Sequence, residues 1–114
     1  MPEAGAASTS GTVGDAVDGF RKRFDPEAAR EVSAAYQFEL TGPGGGAFYA
    51  RVDRGRLEVA EGLLGSADVH LQLETSDLFA ILAGRANADM LFMGDRIRID
   101  GDLSLALKLR RLFP

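Results

Sequence analysis

Hydrophobic positions recur along this chain at two spacings, and the changes between them mark out its elements. Val13, Val17, Phe20 and Phe24 repeat at the helical period, with Asp15, Asp18, Arg21, Lys22 and Arg23 between them. Thr12 with Asp15 three residues on forms a short capping box, and the acidic-then-basic order suits the helix dipole. Asp25-Pro26 reads as a cap followed by proline at the first helical position, which predicts a second, short helix over PEAAREV. The period then becomes two. Tyr36, Phe38 and Leu40 alternate with Ala35, Gln37 and Glu39, and Phe48, Ala50 and Val52 with Tyr49, Arg51 and Asp53. Leu57 and Val59 follow a hairpin turn at Asp53-Arg54-Gly55, then Val69, Leu71 and Leu73, and finally Ile97 and Ile99. Five alternating segments predict a mostly antiparallel five-stranded sheet with one wet face, its apolar face covered by helices.

The covering helices carry more apolar surface than one stripe requires. Ser76 caps a helix containing Leu78, Phe79, Ile81 and Leu82, which Gly84 ends. Asn87 caps a short one running Met90, Leu91, Phe92, Met93 before Gly94. Asp102 caps a last helix whose Leu103, Leu105, Ala106, Leu107, Leu109, Leu112 and Phe113 spread over more than one face. A chain this short cannot bury every side of such helices. The surplus is expected to line an internal cavity or to meet a partner.

Composition narrows the chemistry. The 114 residues suit one α+β domain over residues 12–114, and the 46% apolar content suffices for a core without disulfides or metal. Residues 1–11, small and polar, read as a disordered tail without the basic and apolar regions of a secretory signal. The net charge of −4 argues against a general nucleic-acid binder. The longest apolar run, Leu78 to Ala83, is far short of the roughly 20 residues a spanning helix needs. The absence of cysteine fits a reducing compartment, and the closing Arg-Leu-Phe-Pro is no peroxisomal or retention address, so the expected location is cytoplasmic.

The order and spacing of Leu82 and Gly84, Phe92 and Gly94, Ile97 and Ile99, Gly101-Asp102 and Lys108-Leu109 resemble the sterol-carrier-protein-2 (SCP2) lipid-binding domain, over about Ser33 to Phe113. The resemblance, closest to a bacterial-type stand-alone member, implies a five-stranded sheet with helices on one side and an apolar tunnel between. It also implies binding of sterols, fatty acids, fatty acyl-CoAs, phospholipids or isoprenoid lipids, with no cofactor and no catalytic residues. Bacterial relatives hold lipid intermediates of ubiquinone synthesis, and others are domains of larger enzymes. The candidate tunnel lining is Phe20, Phe24, Phe79, Leu82, Met90, Met93, Leu105, Leu109 and Leu112, offered as a class. Methionine adapts to irregular shapes, as a broad-specificity pocket requires.

Sharper chemistry does not assemble. His70, the only histidine, alternates onto the polar sheet face, with no second histidine or cysteine for a metal set. The loop TGPGGG lacks the terminal Gly-Lys-Ser/Thr of a phosphate-binding loop and joins two strands. It is expected to be a hairpin connection, with gating of the tunnel by Gly42–Gly46 left open. Arg21-Lys22-Arg23 and Lys108, Arg110 and Arg111 sit at helix ends, where they complement the dipole or meet an anionic head group or membrane surface. Asp102 is occupied as a cap and Asp100 alternates outward. The expected function is non-catalytic carriage of a hydrophobic small molecule, with transient membrane or enzyme contact. The alternative is an interaction module, monomer or homodimer, that presents lipid to a partner enzyme.

Overall fold

A computed structural model describes residues 12–114, so the tail expected over residues 1–11 lies outside the described residues. Helix α1 (Val13–Arg23) is followed by β1 (Ser33–Thr41), β2 (Gly46–Asp53), β3 (Arg56–Glu61) and β4 (Val69–Glu74). Then come α2 (Thr75–Leu82), α3 (Ala88–Met93), β5 (Arg98–Gly101), α4 (Leu103–Leu107) and α5 (Leu109–Leu112). The sheet order is β3-β2-β1-β4-β5. Three pairings are antiparallel and β1 runs parallel to β4, so the mostly antiparallel expectation holds.

The alternation read from the sequence falls in phase across the sheet. Phe38 lies opposite Phe48 on one side and Leu71 on the other, and Leu71 lies opposite Ile99. One face is therefore continuously apolar, and the helices cover it. The Phe38 and Phe48 rings stack at 4.6 Å, and Phe20 of α1 meets both edge-on at 5.0 and 5.3 Å. Phe113 closes the group 4.8 Å from Phe20. Aromatic pairs in these geometries add roughly 0.5–1.5 kcal/mol each beyond their buried area. Helix α1 and the C-terminal segment are thereby joined over the middle of the sheet.

The caps at Thr12, Asn87 and Asp102 form as expected. Three local readings need correction. PEAAREV is a series of turns: Asp25 Oδ1 accepts from the Glu27 and Ala28 amides, but Arg30 and Val32 donate three residues back. So short a segment gains too few bonds to propagate a helix before β1 begins at Ser33. Helix α2 starts at Thr75, two residues earlier than a Ser76 cap allows; the Thr75 hydroxyl donates to the Thr41 carbonyl at 2.9 Å and pins the helix to β1. The last helix breaks at Lys108, whose amide bonds to the Leu105 carbonyl, giving α4 and α5. Helix α3 does run up to Gly94, its C-cap, and Asp95 takes the left-handed turn beyond it at φ 62°, with Arg96 N donating to the Leu91 carbonyl.

The second sheet face is not uniformly wet either. Gln37 points to that face and is 1% exposed. Because β4 lies beyond β1, the link leaving edge strand β3 must cross β2 and β1 on the side opposite the helices. Gln37 is the peg beneath it. Its amide nitrogen donates to the Phe48 and Gly62 carbonyls at 3.0 and 3.1 Å, and its oxygen accepts from Leu64 N at 2.7 Å.

Candidate functional site

Between sheet and helices lies an apolar cavity of about 130 Å3, far smaller than the tunnel that the resemblance implies. Its floor is Phe38, Leu71 and Leu73, the inward positions of β1 and β4, with Ile97 just before β5. Phe20 of α1 and Leu78, Ile81 and Leu82 of α2 form the sides. Ala88, at the start of α3, and Leu109, Arg110 and Phe113 from the C-terminal end complete the wall. Arg110 is the one polar side chain among them, and its guanidinium pairs with Asp89 at 2.5 Å. A space of this size matches the ~150 Å3 that takes up a single benzene, and is below the ~300 Å3 of ordinary ligand sites.

Helix α3 contributes one residue, Ala88, to that wall. None of its six residues is buried, although four of them are Met90, Leu91, Phe92 and Met93. Only Leu91 and Ala88 pack against the core. Its two ends are tied by ion pairs instead. Asp89 pairs with Arg110, and Arg96, just past the helix, clamps Asp77 of α2 through Nε at 3.0 Å and Nη2 at 2.9 Å.

Of the nine candidate lining residues, the structure brings Phe20, Leu82 and Leu109 together on the cavity wall. Phe24 packs its ring 5.7 Å from Phe113, outside the cavity, and Leu112, 1% exposed, is solid core. Leu105 is partly buried, and its carbonyl accepts from the Tyr36 hydroxyl at 2.7 Å. Met90 and Met93 are 68% and 78% exposed. Phe79 lines a separate, half-polar groove of about 530 Å3, shared with Thr41, Gly42, Pro43, Glu74, Ser76, Ala80 and Arg85. The glycine hairpin borders that groove and not the apolar cavity. The floor residues were available from strand alternation; Arg110, which looked like one more basic residue at a helix end, carried no signal.

Tyr36 holds α4 onto the sheet. Burial, reinforced by the negative charges of Asp68 and Asp102, pushes its pKa up to about 12. The hydroxyl thus stays a donor to Leu105 wherever the unfolded chain's tyrosine has begun to ionise. Between pH 10 and 12 the native state retains a proton that the unfolded state loses, so stability falls as pH rises through that window. A loss of about 2–3 kcal/mol by pH 12 is expected from this group, read by urea unfolding at each pH. Tyr36→Phe should flatten the slope while weakening the protein at neutral pH by about 1–3 kcal/mol, because the Leu105 carbonyl loses its donor. The Asp102 carboxyl lies below the usual carboxylate range, held there first by the Ser104 hydroxyl and then by the Leu105 amide.

The other titratable groups stand apart. His70 is exposed opposite Asp100 on the polar face. Arg21 donates to the Val59 carbonyl and Arg23 to that of Pro114, so both tie α1 to its neighbours. Among the described residues no group of three or more His, Cys, Asp or Glu side chains could hold a metal ion, and no helix is long and apolar enough to cross a membrane.

Comparison with known proteins places this arrangement. The chain is 33% identical over 87 residues to hydroxysteroid dehydrogenase-like protein 2 of Mus musculus, a match covering 75% of the chain but 18% of the mouse protein. The solution structure of palmitated SCP2L2 from Aedes aegypti superposes with TM-score 0.64 at 25% identity, covering 81% of this chain and 88% of that one. The sec-alkylsulfatase Pisa1 from Pseudomonas sp. superposes with TM-score 0.69 at 18% identity, covering 80% of this chain and 14% of the sulfatase, which shows a shared fold. The chain thus spans about a fifth or less of the mouse and Pseudomonas proteins. The model of the SCP-2 sterol transfer family matches residues 18–114, and the chain belongs to that family.

Proposed function

We propose that this domain carries a lipidic or similarly hydrophobic small molecule in the cavity beneath α2 and α3, without catalysing its conversion. The observation that carries this reading is an apolar cavity with one polar side chain on its wall, bordered at Ala88 by a helix that buries none of its residues. A packed core does not need such a helix. A ligand longer than one ring enters by displacing it, and the low cost of moving α3 makes the cavity expandable. Each buried methylene contributes roughly 0.8 kcal/mol, so a ten-carbon tail has about 8 kcal/mol against ordering and association costs. Apolar area discriminates weakly, and broad selection among sterols, fatty acids, acyl-CoAs and other lipids follows. The palmitated Aedes aegypti relative supports an acyl chain as one such ligand.

A second reading is favoured by the exposed Met90, Met93, Leu103 and Leu107. In that reading this surface contacts an enzyme or membrane that donates or receives the lipid, in keeping with relatives in which the segment is a fraction of a longer chain. Native mass spectrometry of the purified protein, followed by denaturing extraction, tests both. Carriage is expected to give a co-purifying lipid at near one per chain, or stoichiometric uptake of a fluorescent fatty acid. A chain that is empty, takes up no probe and associates with itself would replace carriage by the interaction reading.

A further inference from the structure

The ion pair of Arg110 with Asp89 does two things at once. Arg110 belongs to the cavity wall, yet its guanidinium is engaged outward by Asp89, on the first turn of α3. Both side chains remain half or more exposed, at 62% and 50%. So exposed a pair adds little net stability and exchanges partners readily. The other end of α3 is held independently by the Arg96–Asp77 clamp, in which Asp77 is 13% exposed. Thus the helix has one firm end and one loose end, and the loose end lies over the cavity.

We propose that Arg110 selects the ligand: it takes the anionic head group of a single-tailed amphiphile whose tail occupies the cavity, and Asp89 is the partner that this head group displaces. A neutral lipid gives Arg110 nothing in exchange for Asp89, and it enters only by breaking that pair without replacing it. An anionic one supplies the replacement, so the guanidinium stays paired in both states. Asp89, already exposed, returns to water at little cost, and the N-terminal end of α3 is freed to make room for the tail. The planar guanidinium accepts either a carboxylate or a phosphate through paired oxygens, which is the shared chemistry of the ligand class.

This proposal rests on the cavity being the site of carriage, and one competition experiment separates the two. Dodecanoate, dodecyl phosphate and dodecanol, of equal chain length and below their aggregation concentrations, displace a bound fluorescent fatty acid from the full chain. The anions are expected to bind about two- to fivefold more tightly than the alcohol, the order that one exposed ion pair supplies. Arg110→Gln should bring that ratio near one and Arg110→Lys should keep most of it. Asp89→Asn removes both the latch that the alcohol must open and the competitor that the anions must displace. It should tighten all three probes by a similar factor at an unchanged ratio. No tightening would overturn the displacement of Asp89, even if Arg110→Gln does not fold. The preference should shrink with added salt, because the pair is exposed. The ranking of carboxylate against phosphate identifies the head group. A ratio near one in the wild type, or an unchanged ratio in Arg110→Gln, overturns the selection by Arg110 and leaves carriage standing. Failure of all three probes to bind overturns both.

Discussion

Replacing Gly101 by alanine is expected to remove about 3–5 kcal/mol of unfolding free energy, a large share of what a domain of this size has. Two effects add at this residue. Its φ of 108° lies where an L side chain is strained, costing about 1–3 kcal/mol. A β-carbon there would also sit 2.3 Å from the Asp68 carbonyl oxygen and 3.2 Å from the Val69 Cα. Both neighbours are backbone, and neither can turn aside. Val69 is paired with Gly101, and the Asp68 carbonyl accepts from Asp102 N at 3.0 Å. Asp68 is itself fixed to β1, its amide donating to the Ala35 carbonyl and its carboxylate accepting from Ala35 N. Relief therefore requires β5 to leave β4, and with it the cap of α4. Gly84 provides the control. Its φ is 78°, but a β-carbon would meet nothing within 4 Å, so Gly84→Ala should cost only about 1–2 kcal/mol. In urea the Gly101 variant should lose about 2 M of midpoint at unchanged slope and the Gly84 variant well under half of that. Equal losses would mean that conformational strain alone accounts for both glycines.

The Gly101-Asp102 pair was visible in the sequence as a signature, while its cause was not. The spacing of a glycine before a cap says that a turn occurs; that the turn presses on a carbonyl thirty-odd residues earlier is a tertiary fact. The same division runs through the molecule. The apolar face of the sheet was legible because alternation is a local consequence of strand geometry, and every inward residue from Tyr36 to Ile99 kept its phase. Gln37 obeyed the alternation too, but its burial depends on the β3–β4 link crossing over it, which follows from the parallel β1–β4 pairing. The greasy helices correctly announced surplus apolar surface. They could not say which residues of that surplus would face the cavity, because 3.6-residue periodicity fixes relative and not absolute rotation. Leu82 and Leu109 turned inward, whereas Met90 and Met93 turned to solvent. The partner of Arg110 is set by how α5 docks against α3, which no local pattern encodes.

Filling the cavity should separate its role in folding from its role in carriage, and Ala88→Phe is the substitution that does so. Ala88 begins α3 and contributes a methyl group to the wall of a space of about 130 Å3, close to the ~150 Å3 that accommodates one benzene ring. A phenyl group at this position can enter the space from a helix that buries nothing, so the backbone can shift to admit it. Burying the ring contributes about 1.5–3 kcal/mol. Lower helix propensity and imperfect fit take back about 1–2 kcal/mol, leaving a net gain of about 0.5–1 kcal/mol. Uptake of a fluorescent fatty acid should fall at least tenfold, since the ring occupies the space the tail would enter. Opposite signs of the two effects would mark a cavity kept open at the expense of stability for the sake of a ligand. A gain in stability with undiminished uptake would place the ligand elsewhere, with the half-polar groove between the glycine hairpin and α2 the next candidate. A loss of both would show that α3 is held more firmly than its lack of buried residues indicates, and entry would then have to proceed without its displacement.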